Sequence, residues 1–232
     1  METAGLDVVI RLYDPSELPR LDHCLFSLFG QLLPALSADA DSCGPLRLHV
    51  MLRRFSFAEV QAVRAATQAL RALDETARLT MHNWEIPEPF DLRVPLLNWG
   101  LEVAKGRYFT CLEVGDLVLP GAYAKLLTRL RMTRSAMALG GVITQPVRWW
   151  GDVLMPIAAT SLCPESPPGS SDEAGSPSLF LLDRARVPLQ ELKFRVGLPG
   201  TEIVEFVQRV GKNCEIDTEL MGDLLAVRQI PS

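Results

Sequence analysis

Between residues 7 and 130 the chain alternates four times between a short apolar run and a longer segment with apolar residues every three or four positions. The short runs are DVVIRL (7–12), LRLHVML (46–52), ARLTMHN (77–83) and RYFTCLEV (107–114). Such runs predict strands, whereas apolar residues spaced by three or four predict helices with one apolar face. Because an intervening helix lets successive strands lie parallel, we expect an α/β fold: a mostly parallel sheet with helices on both faces.

Five segments carry helical signals. Two apolar faces consist of Leu21, Cys24, Leu25, Leu28, Phe29 and Leu32, and of Phe57, Val60, Val63, Thr67, Leu70 and Leu73. Pro120 marks the start of a further helix that includes Tyr123 and Leu126. Glycine often follows the last helical residue. We therefore expect the helix in PLLNWGLEVAKG to end at Gly106 and the helix in GTEIVEFVQRVG to end at Gly211.

The chain after residue 135 is less regular. Predicted strands are AMALGGVITQP (136–146), SLFLLDR (178–184) and short runs around Ile216 and Leu225. VRWWGDVLMPIAATSL predicts a hairpin that turns at Gly151 and Asp152. Residues 164–178 are rich in Pro, Gly, Ser and acids, which predicts a mobile loop.

Charge and composition limit the classes of partner. The net charge is -5 and the pI about 5.3, and the arginines are scattered, so we expect neither a nucleic-acid partner nor binding to anionic membranes. Five cysteines without a CxxC pair and three histidines offer little for a zinc site. No apolar stretch approaches the roughly 20 residues of a membrane span, and no signal peptide is visible. We expect a cytoplasmic protein.

The carboxyl ends of the predicted strands indicate where a ligand would bind, because parallel sheets bind ligands outside that edge. Polar residues at these ends are Arg11, Tyr13, Asp14, Arg53, Arg54, His82, Asn83, Glu113 and Asp116. They are the first candidates for a functional site.

A long stretch, LLNWGLEVAKGRYFTCLEVGDLVLPGAYAKLLTRL at 96–130, resembles the central block of family-2-type glycosyltransferases. Members typically carry A-R-N-x-G-x-x-x-A-x-G-x-Y, an acidic D-x-D cluster, and L-x-P-G-A before a helix. The residues that fit are Asn98, Gly100, Ala104, Gly106, Tyr108, Asp116, Pro120 and Gly121. VVIRLYD followed by CLFSLFGQ is similar to the family's V-V-I-P-T-Y-N followed by L-x-S-L-x-x-Q. The similarity covers most of residues 7–145.

The resemblance implies a GT-A fold, a Rossmann-like three-layer sandwich. The order of elements, without an internal repeat, predicts a single domain over residues 1–232 with an irregular C-terminal third, and on the resemblance its nucleotide-binding half would be 5–145. The acceptor-side half would be 146–232 and would include the loop at 164–178. The implied activity is transfer of a sugar from a nucleotide-diphosphate sugar to the hydroxyl of a glycan or another acceptor.

In the family the D-x-D cluster holds a divalent metal, Mn or Mg, on the donor diphosphate, where a hard cation neutralises the charge of the leaving group. Glu113 keeps the first acid, the second acid aligns with Gly115, and Asp116 follows one residue later. The resemblance thus implies Glu113 and Asp116 as metal ligands in a degenerate motif. The alternative for Asp116 is a structural acid close to a helix start.

The resemblance also implies further donor and catalytic residues. Donor-binding candidates are Arg11, Tyr13, Arg53, Asn98 and Glu113. Arg53 and Arg54 replace the family's acids after the second strand. They would grip phosphate, or form a solvated pair. Glu202 is the candidate catalytic base in place of the family's late Asp, or an ordinary acid in the first turn of a helix.

The chain departs from the family pattern at three positions: the metal ligands, the acids that bind the nucleotide base, and the general base of catalysis. These departures leave a second hypothesis open. It is a non-catalytic GT-A domain that binds a protein partner or a glycan, since fold does not determine function. A nucleotidyltransferase on a similar sheet is a third possibility, with Arg11 as its support.

Overall fold

The computed structural model describes residues 3–32, 46–71, 78–84, 93–150, 153–157, 179–195 and 201–231. Within these residues there are nine strands, five α-helices and three short 3-10 helices. The strands are β1 Thr3–Leu12, β2 Leu46–Arg53, β3 Arg78–Trp84, β4 Gly106–Glu113, β5 Asp116–Val118, β6 Met137–Trp150, β7 Val153–Pro156, β8 Leu179–Asp183 and β9 Ile216–Pro231. The helices are α1 Leu18–Leu32, α2 Phe57–Arg71, α3 Arg93–Val103, α4 Ala122–Thr133 and α5 Glu202–Asn213.

All nine strands belong to one sheet in the order β3-β2-β1-β4-β8-β6-β9-β5, with β7 paired to β6. Strands β1 to β4 pair in parallel, as do β6 and β9. Strand β8 is antiparallel to β4 and β6, and β5 is antiparallel to β9. The predicted α/β fold with a mostly parallel sheet is confirmed.

The side chains of β1 alternate between two apolar cores, one on each face of the sheet. Ile10 is fully buried in the core that also contains Leu25 of α1 and Leu126 of α4. Val9 is fully buried in the opposite core with Leu97 of α3 and helix α5. Helices therefore cover both faces, and the three-layer arrangement is confirmed.

Both predictions of a helix-ending glycine are wrong. Helix α3 ends at Val103, and Gly106 is the first residue of β4. A side chain at Gly106 would collide with the carbonyl oxygen of Gly5 on the neighbouring strand, so this glycine permits close approach of two strands rather than a helix end. Gly211 lies inside α5, which continues to Asn213, and packs against Ile216 of β9.

The C-terminal part of the sheet is longer than predicted. The two short runs around Ile216 and Leu225 are one irregular strand, β9, whose register against β6 shifts around Gly140 and Gly141. The predicted hairpin is present as the β6–β7 pair, in which Trp150 lies opposite Val153. Its turn and residues 164–178 lie outside the described residues. Among those described, no helix is long and apolar enough to cross a membrane.

Candidate functional site

A cleft of about 210 Å³ lies where β4 ends and turns into β5. Its walls come from the turn after β1, from α1, from the β4–β5 turn and from the end of β9. The lining residues are Glu17, Arg20, Glu113, Val114, Gly115, Asp116, Arg228, Gln229 and Ile230. The site is thus at the carboxyl end of the parallel strands, as the topology predicts.

Asp116 is buried and closes the β4–β5 turn. Its carboxylate accepts hydrogen bonds from Arg228 Nε at 2.7 Å and Arg228 Nη2 at 2.8 Å, and from the backbone N–H of Glu113 at 3.0 Å. Because Asp116 and Arg228 also lie opposite each other on β5 and β9, this two-pronged ion pair fastens the two strands together. The carboxylate predicted to bind a metal is occupied by a guanidinium.

Glu113 is paired as well, with Arg11. The two residues face each other across β1 and β4. Arg11 is 3% exposed, and its Nε and Nη1 are buried without a hydrogen-bond partner among the described residues. Its guanidinium carbon lies 5.5 Å from the ring centre of Tyr13, within the range of a cation–π contact. The structure therefore brings together three of the predicted donor-binding residues.

Arg20 occupies the place of the missing second acid. A side chain at Gly115 would overlap the Arg20 guanidinium and lie 2.7 Å from the carbonyl oxygen of Gln229. Arg20 Nη2 donates to that carbonyl at 2.8 Å, and Nη1 lies 3.5 Å from Glu17. Arg20 Nε is buried without a partner among the described residues. The glycine thus makes room for a cation where the family places a carboxylate.

Helix α1 holds Arg20 in this position through two further contacts on the same helical face. Cys24 lies one turn after Arg20, and its thiol is 3.9 Å from the carbonyl oxygen of Glu113. Ser27 lies two turns after Arg20, and its hydroxyl accepts the N–H of Val118 at 3.0 Å. Residues spaced by three or four share a helical face, so this face docks along the β4–β5 segment.

These residues do not fit a divalent cation. Mn and Mg need carboxylate oxygens that are free to coordinate, whereas Glu113 and Asp116 each bind an arginine. The position of the second acid holds the guanidinium of Arg20. Within the described part of the chain, no group of three Asp, Glu, His or Cys side chains is arranged to hold a metal.

Asn98 and Glu202 connect helices α3 and α5. The Asn98 side chain donates to the carbonyl of Phe194 at 3.0 Å and accepts the Phe194 N–H at 2.8 Å, which ties α3 to the segment before α5. Glu202, the first residue of α5, is buried and lies 3.5 Å from Arg93 Nε. Arg53, at the end of β2, is not among the residues that line the cleft.

Cys111 marks the point at which the charged residues converge. Burial raises the pKa of its thiol to about 12, and the charges that act on it are those of Arg11, Asp116, Arg228 and Glu202. Strands β1, β5 and β9 and helix α5 therefore bring their charged side chains to one edge of the sheet.

Two residues of the cleft, Arg20 and Arg228, were not predicted from the sequence. The glycine in place of an acid at position 115 was the only signal for Arg20, and Arg228 had none.

The fold matches solved glycosyltransferases. TarS 1-349 of S. aureus aligns with a TM-score of 0.64 and 13% identity, over 97% of this chain and 60% of that one. Its complex with UDP-GlcNAc gives 0.64 and 12%, over 98% and 59%. The mannosyltransferase PcManGT from Pyrobaculum calidifontis, in complex with GDP-Man and Mn2+, gives 0.63 and 14%, over 98% and 57%.

The chain spans about three-fifths of the length of these structures. No family model matches its sequence, and no curated protein matches it significantly. Identities this low show the fold alone. The predicted glycosyltransferase fold of the GT-A type is confirmed, and membership of family 2 stays a prediction.

Proposed function

We propose that this chain is a glycosyltransferase-like domain that binds a nucleotide-diphosphate sugar at the cleft. One observation carries the proposal: Arg11 is a buried cation at the carboxyl end of β1, and two of its nitrogens have no partner among the described residues. Unused donors on a buried charge are costly unless a ligand supplies acceptors. Phosphate oxygens suit a guanidinium in both charge and geometry.

The surroundings of Arg11 support this assignment. Tyr13 places an aromatic ring beside the guanidinium, where a nucleotide base could stack. The related folds include complexes with UDP-GlcNAc and with GDP-Man. A nucleotide diphosphate is therefore the ligand class that we assign to this edge of the sheet. Asn98 would act indirectly, by holding the segment before α5, and Arg53 would contribute only from the rim.

For sugar transfer we propose Glu202 as the general base. The bond between the sugar and the diphosphate breaks, a bond to the acceptor oxygen forms, and the hydroxyl proton passes to the Glu202 carboxylate. Glu202 lies at the first turn of α5 and contributes to the charge around Cys111. Arg93 would orient the carboxylate. The acceptor class is a glycan or another hydroxyl compound.

A second candidate is binding without transfer, to a donor, a glycan or a protein partner. The observation that favours it is the pairing of both motif acids with arginines: Glu113 with Arg11, and Asp116 with Arg228. A domain that only binds needs no free carboxylate at the leaving group. The two candidates differ in turnover: only the enzyme releases free nucleotide diphosphate from a nucleotide sugar over time.

The first experiment is thermal unfolding with UDP, GDP and dTDP, each with Mn2+ and separately with EDTA. A nucleotide present at about a hundred times its Kd adds about 2.7 kcal/mol of stability. For a chain of this size that is a rise of about 5 to 10 °C in Tm. We expect at least one nucleotide to produce such a rise.

Two variants identify the site. Arg11→Gln removes the buried cation and should abolish the rise in Tm. Arg64→Gln replaces an exposed arginine on α2 that is not among the residues lining the cleft, and should leave the rise in Tm intact. No rise with any nucleotide in either buffer would overturn the proposal, as would an equal rise in the Arg11 variant.

A further inference from the structure

The mismatch between this cleft and a divalent cation points to a different way of neutralising a diphosphate. We propose that Arg11 and Arg20 take the place of the metal, so that the cleft binds a nucleotide diphosphate without a divalent cation. The inference rests on the proposed function, because it names how that ligand is held.

Arg20 is the central residue of this proposal. It lines the cleft, and its guanidinium fills the space that a second motif acid would need. A metal ion bound there would be repelled by the guanidinium and would lack its ligand. Arg20 Nη2 is anchored to Gln229, while Nε is buried and unpartnered among the described residues. The side chain is thus held in place by one nitrogen, while another, Nε, has no partner among the described residues.

Arg11 supplies a second cation. One nitrogen binds Glu113, and the other two are buried without a partner in the part of the chain that the structure describes. Glu113 lines the cleft and Arg11 does not, so the ion pair places the Arg11 charge behind the cleft wall. A guanidinium directs several N–H donors at phosphate oxygens, which suits Arg to this role better than Lys.

Arg228 lines the same cleft, but its guanidinium is bound to a carboxylate. Its Nε and Nη2 both bind the Asp116 carboxylate, and neither is among the buried nitrogens without a partner. We assign Arg228 and Asp116 to holding β5 against β9. The hydrogen bonds therefore distinguish the three arginines: Arg228 is bound through two nitrogens, whereas Arg11 and Arg20 keep buried nitrogens without a partner among the described residues.

Isothermal titration calorimetry tests the inference directly. The nucleotide diphosphate that raises Tm and inorganic pyrophosphate are each titrated into the protein, once with Mn2+ and once with EDTA. We expect the same affinity in both buffers. Arg20→Ala should weaken binding roughly 10- to 100-fold, the range for loss of hydrogen bonds to a charged group. Arg20→Lys keeps the charge but loses the planar set of donors. Its affinity for the nucleotide should lie between that of the unaltered protein and that of Arg20→Ala.

Two controls accompany these titrations. Unfolding curves without ligand show whether each variant folds, and Arg64→Gln serves as the matched control with an exposed arginine.

The outcomes separate the two proposals. Nucleotide binding by the unaltered protein that disappears in EDTA would overturn the exchange of metal for arginine and leave the proposed function standing. Unchanged affinity in a folded Arg20→Ala would remove Arg20 from the site and overturn the exchange as well. No binding of any nucleotide or of pyrophosphate in either buffer would overturn both.

Discussion

Strand β1 carries two buried charges, and their surroundings differ. In the middle of the strand, Asp7 is fully buried and accepts hydrogen bonds from Arg47 Nε at 2.7 Å, from His49 Nε2 at 2.9 Å and from the N–H of Lys105 at 3.0 Å. At the carboxyl end, Arg11 is buried with one ion pair and two unused nitrogens.

The difference is between a buried charge that the fold satisfies and one that it does not. Buried polar groups in folded proteins are almost always satisfied, and one that is not calls for an explanation. Asp7 binds donors from β2 and from the start of β4, so it joins three neighbouring strands. Arg11 pairs with Glu113 of β4 and has two nitrogens without a partner among the described residues. Asp7 is therefore a structural charge, and Arg11 is the charge that we propose to bind a ligand.

The largest expected effect is at Asp7. Asp7→Asn removes a buried charge that faces Arg47 and should lower the free energy of unfolding by about 3 to 5 kcal/mol, because the guanidinium loses its partner. Urea unfolding measures this. Asp22→Asn, on the exposed side of α1, is the matched control and should change little. A loss below about 1 kcal/mol in Asp7→Asn would contradict the distinction between Asp7 and Arg11.

Protonation of Asp7 at low pH is expected to have an intermediate effect on the free energy of unfolding. Burial opposes ionisation of Asp7, but hydrogen bonds from His49, Arg47 and the N–H of Gly106 outweigh it and lower its pKa from 3.8 to about 2. A carboxyl group whose pKa is lowered by folding stabilises the folded state above its unfolded pKa. That contribution, about 2 kcal/mol, is lost as the pH falls from about 4 to 2.

Urea unfolding across this pH range compares the two proteins. The stability difference between the unaltered chain and Asp7→Asn should shrink as the pH falls, since protonation removes the same charge that the variant lacks. A difference that stays constant down to about pH 2 would show that Asp7 does not hold its low pKa through these bonds.

The smallest expected effect is at the carboxyl end. Arg11→Gln breaks the pair with Glu113, but Glu113 is partly exposed and regains water. The variant also removes two buried donors without partners. We expect a change of less than about 1 kcal/mol in the free energy of unfolding, together with loss of nucleotide binding. A loss as large as that of Asp7→Asn would make Arg11 a structural residue.

Much of the fold was predictable from local pattern. The four strands of the first half and the helices between them follow from apolar periodicity, which is a property of neighbouring residues. The predicted helix ends at Gly106 and Gly211 were both wrong, because the role of each glycine depends on the strand that packs against it. The length of β9 was also unpredictable, since its pairing with β6 is a long-range contact.

For the site, the sequence by itself determined which edge of the sheet would carry charge and that one motif acid was missing. Only the tertiary structure decided what replaced it. Arg20 and Gln229, which are 209 positions apart, meet at Gly115 because α1 and β9 pack on either side of the β4–β5 turn. Hydrogen bonds between distant residues leave no local pattern. The partners of Glu113 and Asp116, and the arginine nitrogens without a partner among the described residues, therefore become visible only in the folded chain.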